Sequence, residues 1–158
     1  MNDSQLLADY IQQEEICRFA KFSHDDGWAL GMILRRLAIE NKAPVAMEVF
    51  AFGQQVFLAA LPGSCPENLE WIWRKRNTVL RSWKASLHVG AVNRLSGQRM
   101  EQQGFIQQSD YCDHGGSFPV RLVDGVVIGA VTVSGLPEQD DHALVVRAIQ
   151  ALLRDAAC

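Results

Sequence analysis

The chain lacks most of the features that would assign it a chemistry at sight. Its four cysteines (Cys17, Cys65, Cys112, Cys158) are scattered, with no Cys-x-x-Cys pair among them. That sets aside zinc-ribbon and thioredoxin-like chemistry and fits free thiols in a reducing cytosol. No apolar run approaches the ~20 residues that cross a bilayer. Met1-Asn2-Asp3-Ser4-Gln5 lacks the basic start and apolar stretch of a secretory leader. The expectation is a cytoplasmic protein with no membrane partner. Positive charge is not in surplus either: the formal net charge is −3, where a nucleic-acid binder needs a concentrated basic surface. The one basic cluster, Arg74-Lys75-Arg76 with Arg81 and Lys84 beyond it, lies in a Trp-bearing segment rather than a tail. No nucleic-acid partner is expected.

Catalytic signatures are missing as well. Ser134-Gly135 is no nucleophile elbow, because the Gly-x-Ser-x-Gly frame is absent, and Ser117 follows glycines without an assignable base. Gly115-Gly116 leads into a strand rather than a helix, which excludes a dinucleotide fingerprint or phosphate loop. Asp140 and Asp141 are adjacent, so they project in different directions and make a poor acid/base dyad. They suit the first turn of a helix. No catalytic residue is assigned.

What remains is a globular pattern. The 158 residues, 48% apolar and 21% charged, suit one domain spanning the chain, long enough to bury a core without staples. Residues 4–16 read as a helix with a narrow apolar face, Leu7, Tyr10 and Ile11 with Glu14. Such a helix packs on a neighbour or a second subunit, so the first twenty or so residues are a candidate oligomer contact. A second helix follows Ser23, a suitable N-cap, with Asp25 and Asp26 in its first turn and Leu30, Ile33, Leu34 and Leu37 on one stripe. Val45–Ala51 and Gln54–Leu61 form a strand pair about the turn Phe52-Gly53.

From Pro66 a long helical stretch runs to about Leu95, with a break expected near Gly90. A second strand pair turns at Asp124-Gly125. Pro137, Glu138, Asp140 and Asp141 open a last helix that buries Val145, Ile149 and Leu152. The order is α-α-β-β-α-β-β-α, an α+β fold with a mainly antiparallel sheet and helices on one face.

Four groups of residues draw attention. Arg76 falls amid the apolar face of the long helix, with Leu69, Ile72, Val79, Leu80, Trp83 and Leu87. A guanidinium there needs an acid, carbonyls or an anionic ligand. One reading is a structural pair with an acid such as Glu48 or Asp141, or snorkelling at the stripe's edge. The other is an anion-binding residue. His142 lies one turn into the last helix, where the dipole favours a neutral ring able to bind metal or haem iron; a hydrogen-bonded, partly buried histidine is the alternative. His114, in Cys112-Asp113-His114, is a second metal candidate on a short triplet common by chance. His24 reads as capping, and His88 as a surface residue. Trp71, Trp73 and Trp83 cannot share one helix face, which points to a subunit contact.

These motifs together resemble the UPF0303 family, within the GlcG/HbpS-like superfamily whose domain is labelled haem-degrading. The resemblance rests on Gly53-Gln54-Gln55-Val56-Phe57-Leu58-Ala59-Ala60-Leu61-Pro62-Gly63, then Trp71 and Arg74-Lys75-Arg76-Asn77-Thr78-Val79-Leu80-Arg81. It continues in His114-Gly115-Gly116-Ser117-Phe118-Pro119 and in Val133-Ser134-Gly135-Leu136-Pro137 followed by Asp141-His142. It implies a profilin- or PAS-like layout, assembly with copies of itself, and a pocket for haem or another small anionic ligand. The implied ligand-binding residues are Arg74, Lys75, Arg76, Asn77, His114, Gly115, Gly116, Ser117 and His142, with His114 and His142 as implied metal ligands. Family members usually read Phe-Gly-His-Ser-Ser where this chain has Ser82-Trp83-Lys84-Ala85-Ser86, so Lys84 stands in place of a histidine. A scaffold acting through its oligomeric surface is the alternative function, and a haem-degrading or cobalamin-related enzyme the third.

Overall fold

The computed structural model describes residues 1–157. Five helices, α1 (Asp3–Ile16), α2 (His24–Glu40), α3 (Pro66–Ser82), α4 (Ser86–Ser96) and α5 (Glu138–Ala157), surround a sheet of five strands. These are β1 (Arg18–Phe19), β2 (Ala46–Ala51), β3 (Gln54–Ala60), β4 (Ser117–Leu122) and β5 (Val127–Ser134), in the order β1-β4-β5-β2-β3. Both expected hairpins form, and β2 joins them by pairing antiparallel with β5. The fold is α+β, as expected. Its sheet is mixed, because β1 pairs parallel with β4; two residues are too few to carry a strand signal.

Alternation along the strands divides the sheet into two unlike faces. Met47, Val49, Phe118, Val120, Val131 and Val133 meet Leu30, Leu34, Leu37, Leu144, Val145 and Ile149 in one apolar core, which α2 and α5 cover. The intervening positions carry buried Glu48, Ser117, Thr132 and Ser134, and α3 and α4 cover them. Helices therefore lie on both faces, not on one. The expectation of one covered face followed from reading the hairpins as half-solvated, but β5 is buried at seven of its eight positions.

The long helical stretch breaks at Trp83–Ala85 rather than near Gly90. Trp83 adopts a left-handed conformation (φ +58°) and ends α3, while Arg121 donates to its carbonyl. Ala85 N–H donates to Glu14 on α1 at 2.7 Å. Gly90 lies within α4, where its missing side chain lets the helix pass the Asp113 carbonyl, which a Cβ would approach to 2.3 Å. That bend turns His88 inward, so it is buried rather than on the surface, with Nδ1 2.9 Å from Glu14. Tyr10, Leu87 and Ala91 close the contact between α1 and α4. Within the chain, α1 thus packs on α4 and is tied down by Glu14.

Candidate functional site

Where β5 ends, the chain turns through Ser134-Gly135-Leu136-Pro137 into α5. A cavity of about 290 Å³ opens there between that turn and α3. Asn68, Trp71 and Lys75, at spacings of three and four, come from one side of α3; Ser134, Leu136, Glu138 and Asp141 come from the turn and the first turn of α5; His114 closes the rim. The site is set by long-range packing: Lys75 and Asp141 are 66 residues apart.

Lys75 is the centre. Only 4% exposed, it donates to Asp141 Oδ2 at 3.0 Å and to the Val133 carbonyl at 3.1 Å. Asp141 also accepts from the backbone N–H groups of Leu136 (3.0 Å) and Gly135 (3.4 Å). Burial raises the Asp141 carboxyl above its usual range, against the pull of the Lys75 ammonium and these hydrogen bonds. Glu138 is engaged in its turn: Oε2 accepts from Gly115 N–H at 3.1 Å, and Oε1 faces Arg94 at 3.5 Å.

Counting hydrogen-bonding capacity shows what the wall has left. An ammonium has three donors, and Lys75 uses two. Asn68 gives one amide hydrogen to Ser134 Oγ at 3.2 Å and uses its carbonyl to cap α3 through Cys65 N–H; its second amide hydrogen and the Ser134 hydroxyl hydrogen remain. His114 adds a half-exposed ring that rests against Trp71 (centroids 5.0 Å apart), with Arg74 over the same indole at 4.0 Å. Asp141 accepts three hydrogen bonds from within the chain, whereas Glu138 accepts from Gly115 and has Arg94 at 3.5 Å and His114 Nδ1 at 3.9 Å beside it. Lys75, Asn68 and Ser134 each keep one donor on this wall.

The structure brings together only some of the residues expected from sequence. Lys75 and His114 line the cavity, and Arg74 lines a neighbouring cleft of about 140 Å³ that shares Trp71 and His114 with it. Gly115 and Gly116 lie behind the wall rather than along it. A Cβ at Gly116 would stand 2.8 Å from Lys75 Nζ and 2.5 Å from the Val133 carbonyl, at a φ of +132°. Gly116 therefore lets β4 start against the ion pair.

Asn77 reaches the Asp110 carbonyl at 2.9 Å. Ser117 is buried against Thr132, with oxygens 2.8 Å apart. Arg76 faces the sheet, its Nε 2.8 Å from Glu48 and its guanidinium between the rings of Phe50 and Trp73. This is the structural pair with Glu48 that the helix stripe allowed. Lys84 is exposed on the turn between α3 and α4.

His142 lies elsewhere, on a separate groove between α1 and α5. Its Nε2 meets Gln13 Oε1 at 2.6 Å, and its ring packs on Tyr10 and Phe118. Burial pushes its pKa down to about 4, so the ring is neutral at physiological pH. Nδ1 has no partner among the described residues. Asp113 is not free for a metal: its oxygens accept from Arg99, Asn93 and Met100 N–H. No cluster of three or more His, Cys, Asp or Glu poised for a metal occurs among the described residues.

Sequence reasoning passed over Asn68, Ser134 and Glu138 as wall residues, and read Asp141 as a helix-dipole partner or as an acid for Arg76 rather than for Lys75. The turn Ser-Gly-Leu-Pro was the available signal, since Gly135 (φ +147°) folds the chain back so closely that a Cβ would meet the Pro44 carbonyl at 2.4 Å.

Residues 22–150 match the family described as haem degrading protein HbpS-like. A UPF0303 protein of Streptomyces coelicolor is 47% identical over 147 residues, 93% of each chain. One from Psychromonas ingrahamii is 42% identical over 154 residues, 98% of this chain and 97% of its own. Among solved structures, the Ybr137w protein superposes with a TM-score of 0.85 at 26% identity, over 94% of this chain and 89% of that one. A PduOC:haem complex superposes at 0.69 with 21% identity, over 82% and 94%, which shows a common fold. The chain belongs to the UPF0303 proteins of the HbpS-like family.

Proposed function

We propose that this chain is a cytoplasmic, self-associating binding protein that holds a small anion in the cavity between α3 and the start of α5. The observation that carries the reading is the set of spare donors around the cavity: Lys75, Asn68 and Ser134 each keep a hydrogen to donate, while the buried Asp141 is engaged by Lys75, Gly135 and Leu136. A ligand rich in acceptors, a carboxylate or another oxoanion, completes that set. The indole of Trp71 offers an apolar surface for the rest of the ligand, and Arg74 adds positive charge at the rim.

Haem is the group the family description raises, and the residues here do not fit a haem enclosed at this site. The cavity, about 290 Å³, is at the lower limit for small-ligand pockets and too small for a porphyrin. His114 and His142 line different cavities, so they cannot clamp one iron. Ligation through His142 Nε2 would require breaking its 2.6 Å contact with Gln13, and the unpartnered Nδ1 is buried on a ring packed on Tyr10 and Phe118.

The test is a titration followed by tryptophan fluorescence, using acetate, citrate and inorganic phosphate as probes and haemin in parallel. The reading expects a saturable response of Trp71 to at least one small anion, abolished by Lys75→Met. A Soret band that is retained in Lys75→Met and lost in His114→Ala, without any response to the small anions, would replace it with haem binding at the rim.

A further inference from the structure

We infer that the outer edge of β3 and the overhanging face of α2 form a two-fold contact between two copies of this chain, with the two α2 helices antiparallel. The inference extends the self-association included in the reading above and does not depend on the ligand.

The two edges of the sheet are treated differently. At one edge β1 is two residues long and carries Arg18, a short and charged edge of the kind that resists pairing. At the other, β3 runs seven residues, Gln54-Gln55-Val56-Phe57-Leu58-Ala59-Ala60, without a charge or a proline. Among the described residues nothing pairs with its outer side. A long, uncharged edge, here with one bulge where Val56 is skipped in the pairing with β2, is the template on which another strand adds.

The helix beside that edge carries the second half of the argument. Gly27 and Gly31 press α2 onto β3, where added Cβ atoms would meet Val56 at 2.8 Å and Phe57 at 2.2 Å. Outward from this contact, Asp25, Trp28, Met32, Arg35 and Ile39 follow one another at alternating spacings of three and four, which places them on a single stripe. All five are exposed, the large apolar ones to 57% at Trp28, 46% at Met32 and 47% at Ile39. A stripe of this composition beside an open strand edge is not what a solitary domain presents to water.

The stripe is also self-complementary. Asp25 and Arg35 are equidistant from Leu30, and so are Trp28 and Met32. Antiparallel pairing about a two-fold axis at the level of Leu30 therefore sets each Asp25 against the other copy's Arg35 and each Trp28 against the other copy's Met32. Neither Asp25 nor Arg35 has an ion-pair partner among the described residues, whereas the adjacent Arg36 pairs with Glu40 at 3.2 Å. The same axis suits the strand. Gly31 lies on Phe57, the middle residue of β3, so antiparallel pairing of β3 with its copy is centred near that level and continues the sheet across both chains. Such an isologous contact closes on itself, since each patch is its own partner.

Assembly mass and dissociation constant by analytical ultracentrifugation decide it, with circular dichroism confirming the fold of each variant. Met32→Glu is expected to cut the assembly mass to half or less. Arg35→Glu, which sets like charges opposite each other at both ends of the contact, is expected to weaken association at least tenfold, and combining it with Asp25→Arg to restore it. A wild-type protein that remains monomeric at the highest concentration reached would overturn both the inference and the self-association reading. An assembly that withstands Met32→Glu would overturn the inference alone, placing the contact elsewhere, as would weakening by Arg35→Glu that the double variant fails to repair. Anion binding by Lys75 is scored separately by fluorescence.

Discussion

Lys75 and Arg76 are neighbours on α3, both cationic, both buried, each beside one buried carboxylate, and they do different things. Arg76 points at the sheet. Its guanidinium is held between Phe50 and Trp73, and its partner Glu48 is also occupied by Gln55 at 2.7 Å. Lys75, one residue earlier and so about 100° round the helix, leans to the sheet's end, where β5 has stopped and α5 has not yet closed the gap. Its ion pair has one open side. A buried ion pair is poor evidence of function when it is enclosed, since desolvation offsets much of its Coulomb gain. A buried ion pair with a donor to spare, facing a cavity, is different, and on that difference the proposed anion site rests.

The largest expected effect comes from breaking the enclosed pair. Arg76→Met leaves Glu48 buried without its cation and should cost roughly 3–5 kcal/mol of stability, the usual penalty for orphaning a buried charge. The midpoint of urea unfolding checks it. Restoring neutrality with Glu48→Gln in the same chain should recover most of the loss, and anion binding should survive in the double variant. If the double variant binds nothing, the two pairs are not separable as claimed.

A comparable loss, read through pH, is expected from His142. Its folded pKa lies at about 4, below the ordinary imidazole value near 6.5. The unfolded chain therefore binds a proton that the folded one refuses between those values. The neutral ring's stabilisation is complete above about pH 6.5 and declines toward pH 4, by an amount on the order of 3 kcal/mol. Asp141, with its carboxyl raised by burial, works in the opposite direction over part of that range. The comparison is thus between wild type and His142→Phe at each pH: the variant should unfold with a flatter acid dependence, and an unchanged slope would remove His142 from the account. Asp113 acts at still lower pH. Burial alone would raise it, but hydrogen bonds from Arg99, Asn93 and Met100 bring it to about 2, so its stabilisation is present above about pH 4 and is lost as pH falls toward 2.

A smaller and more local effect is expected at Gly116. Alanine there must adopt a φ of +132° and push its Cβ toward Lys75 Nζ and the Val133 carbonyl. It should destabilise by about 1–3 kcal/mol and weaken anion binding as well, by moving the ammonium. Gly125→Ala is the control: φ is +99° there too, but no atom stands within 4 Å of the added Cβ, so it should cost stability and leave binding alone. Equal binding losses at the two glycines would mean that backbone strain, not the position of Lys75, is being read.

Local signals in the chain were legible where one or two residues determine the geometry. Phe52-Gly53 and Asp124-Gly125 marked both hairpins. Ser23 caps α2 through Asp26 N–H, and Arg76 could be recognised as needing an acid such as Glu48. What could not be read depended on distant partners. The inward turn of His88 requires Glu14, 74 residues away. The end of α3 requires Trp83 to take a conformation that bulky residues rarely adopt, held there by Arg121. The family likeness pointed at Arg74–Asn77 with His114; helical geometry sends Arg76 and Asn77 away from the cavity and leaves Lys75 on it. His142 stands out in sequence for its place one turn into α5 and His114 for the triplet Cys112-Asp113-His114, and the fold puts them in different cavities.

The central claim is that Lys75, not Arg76, holds an anion. Native mass spectrometry of the protein purified from its own host tests it most directly, comparing wild type, Lys75→Met and the Arg76→Met/Glu48→Gln pair for a small bound acid. The account predicts the same added mass on wild type and on the double variant, and none on Lys75→Met. An adduct that persists in Lys75→Met, or that disappears only with Arg76, would contradict it.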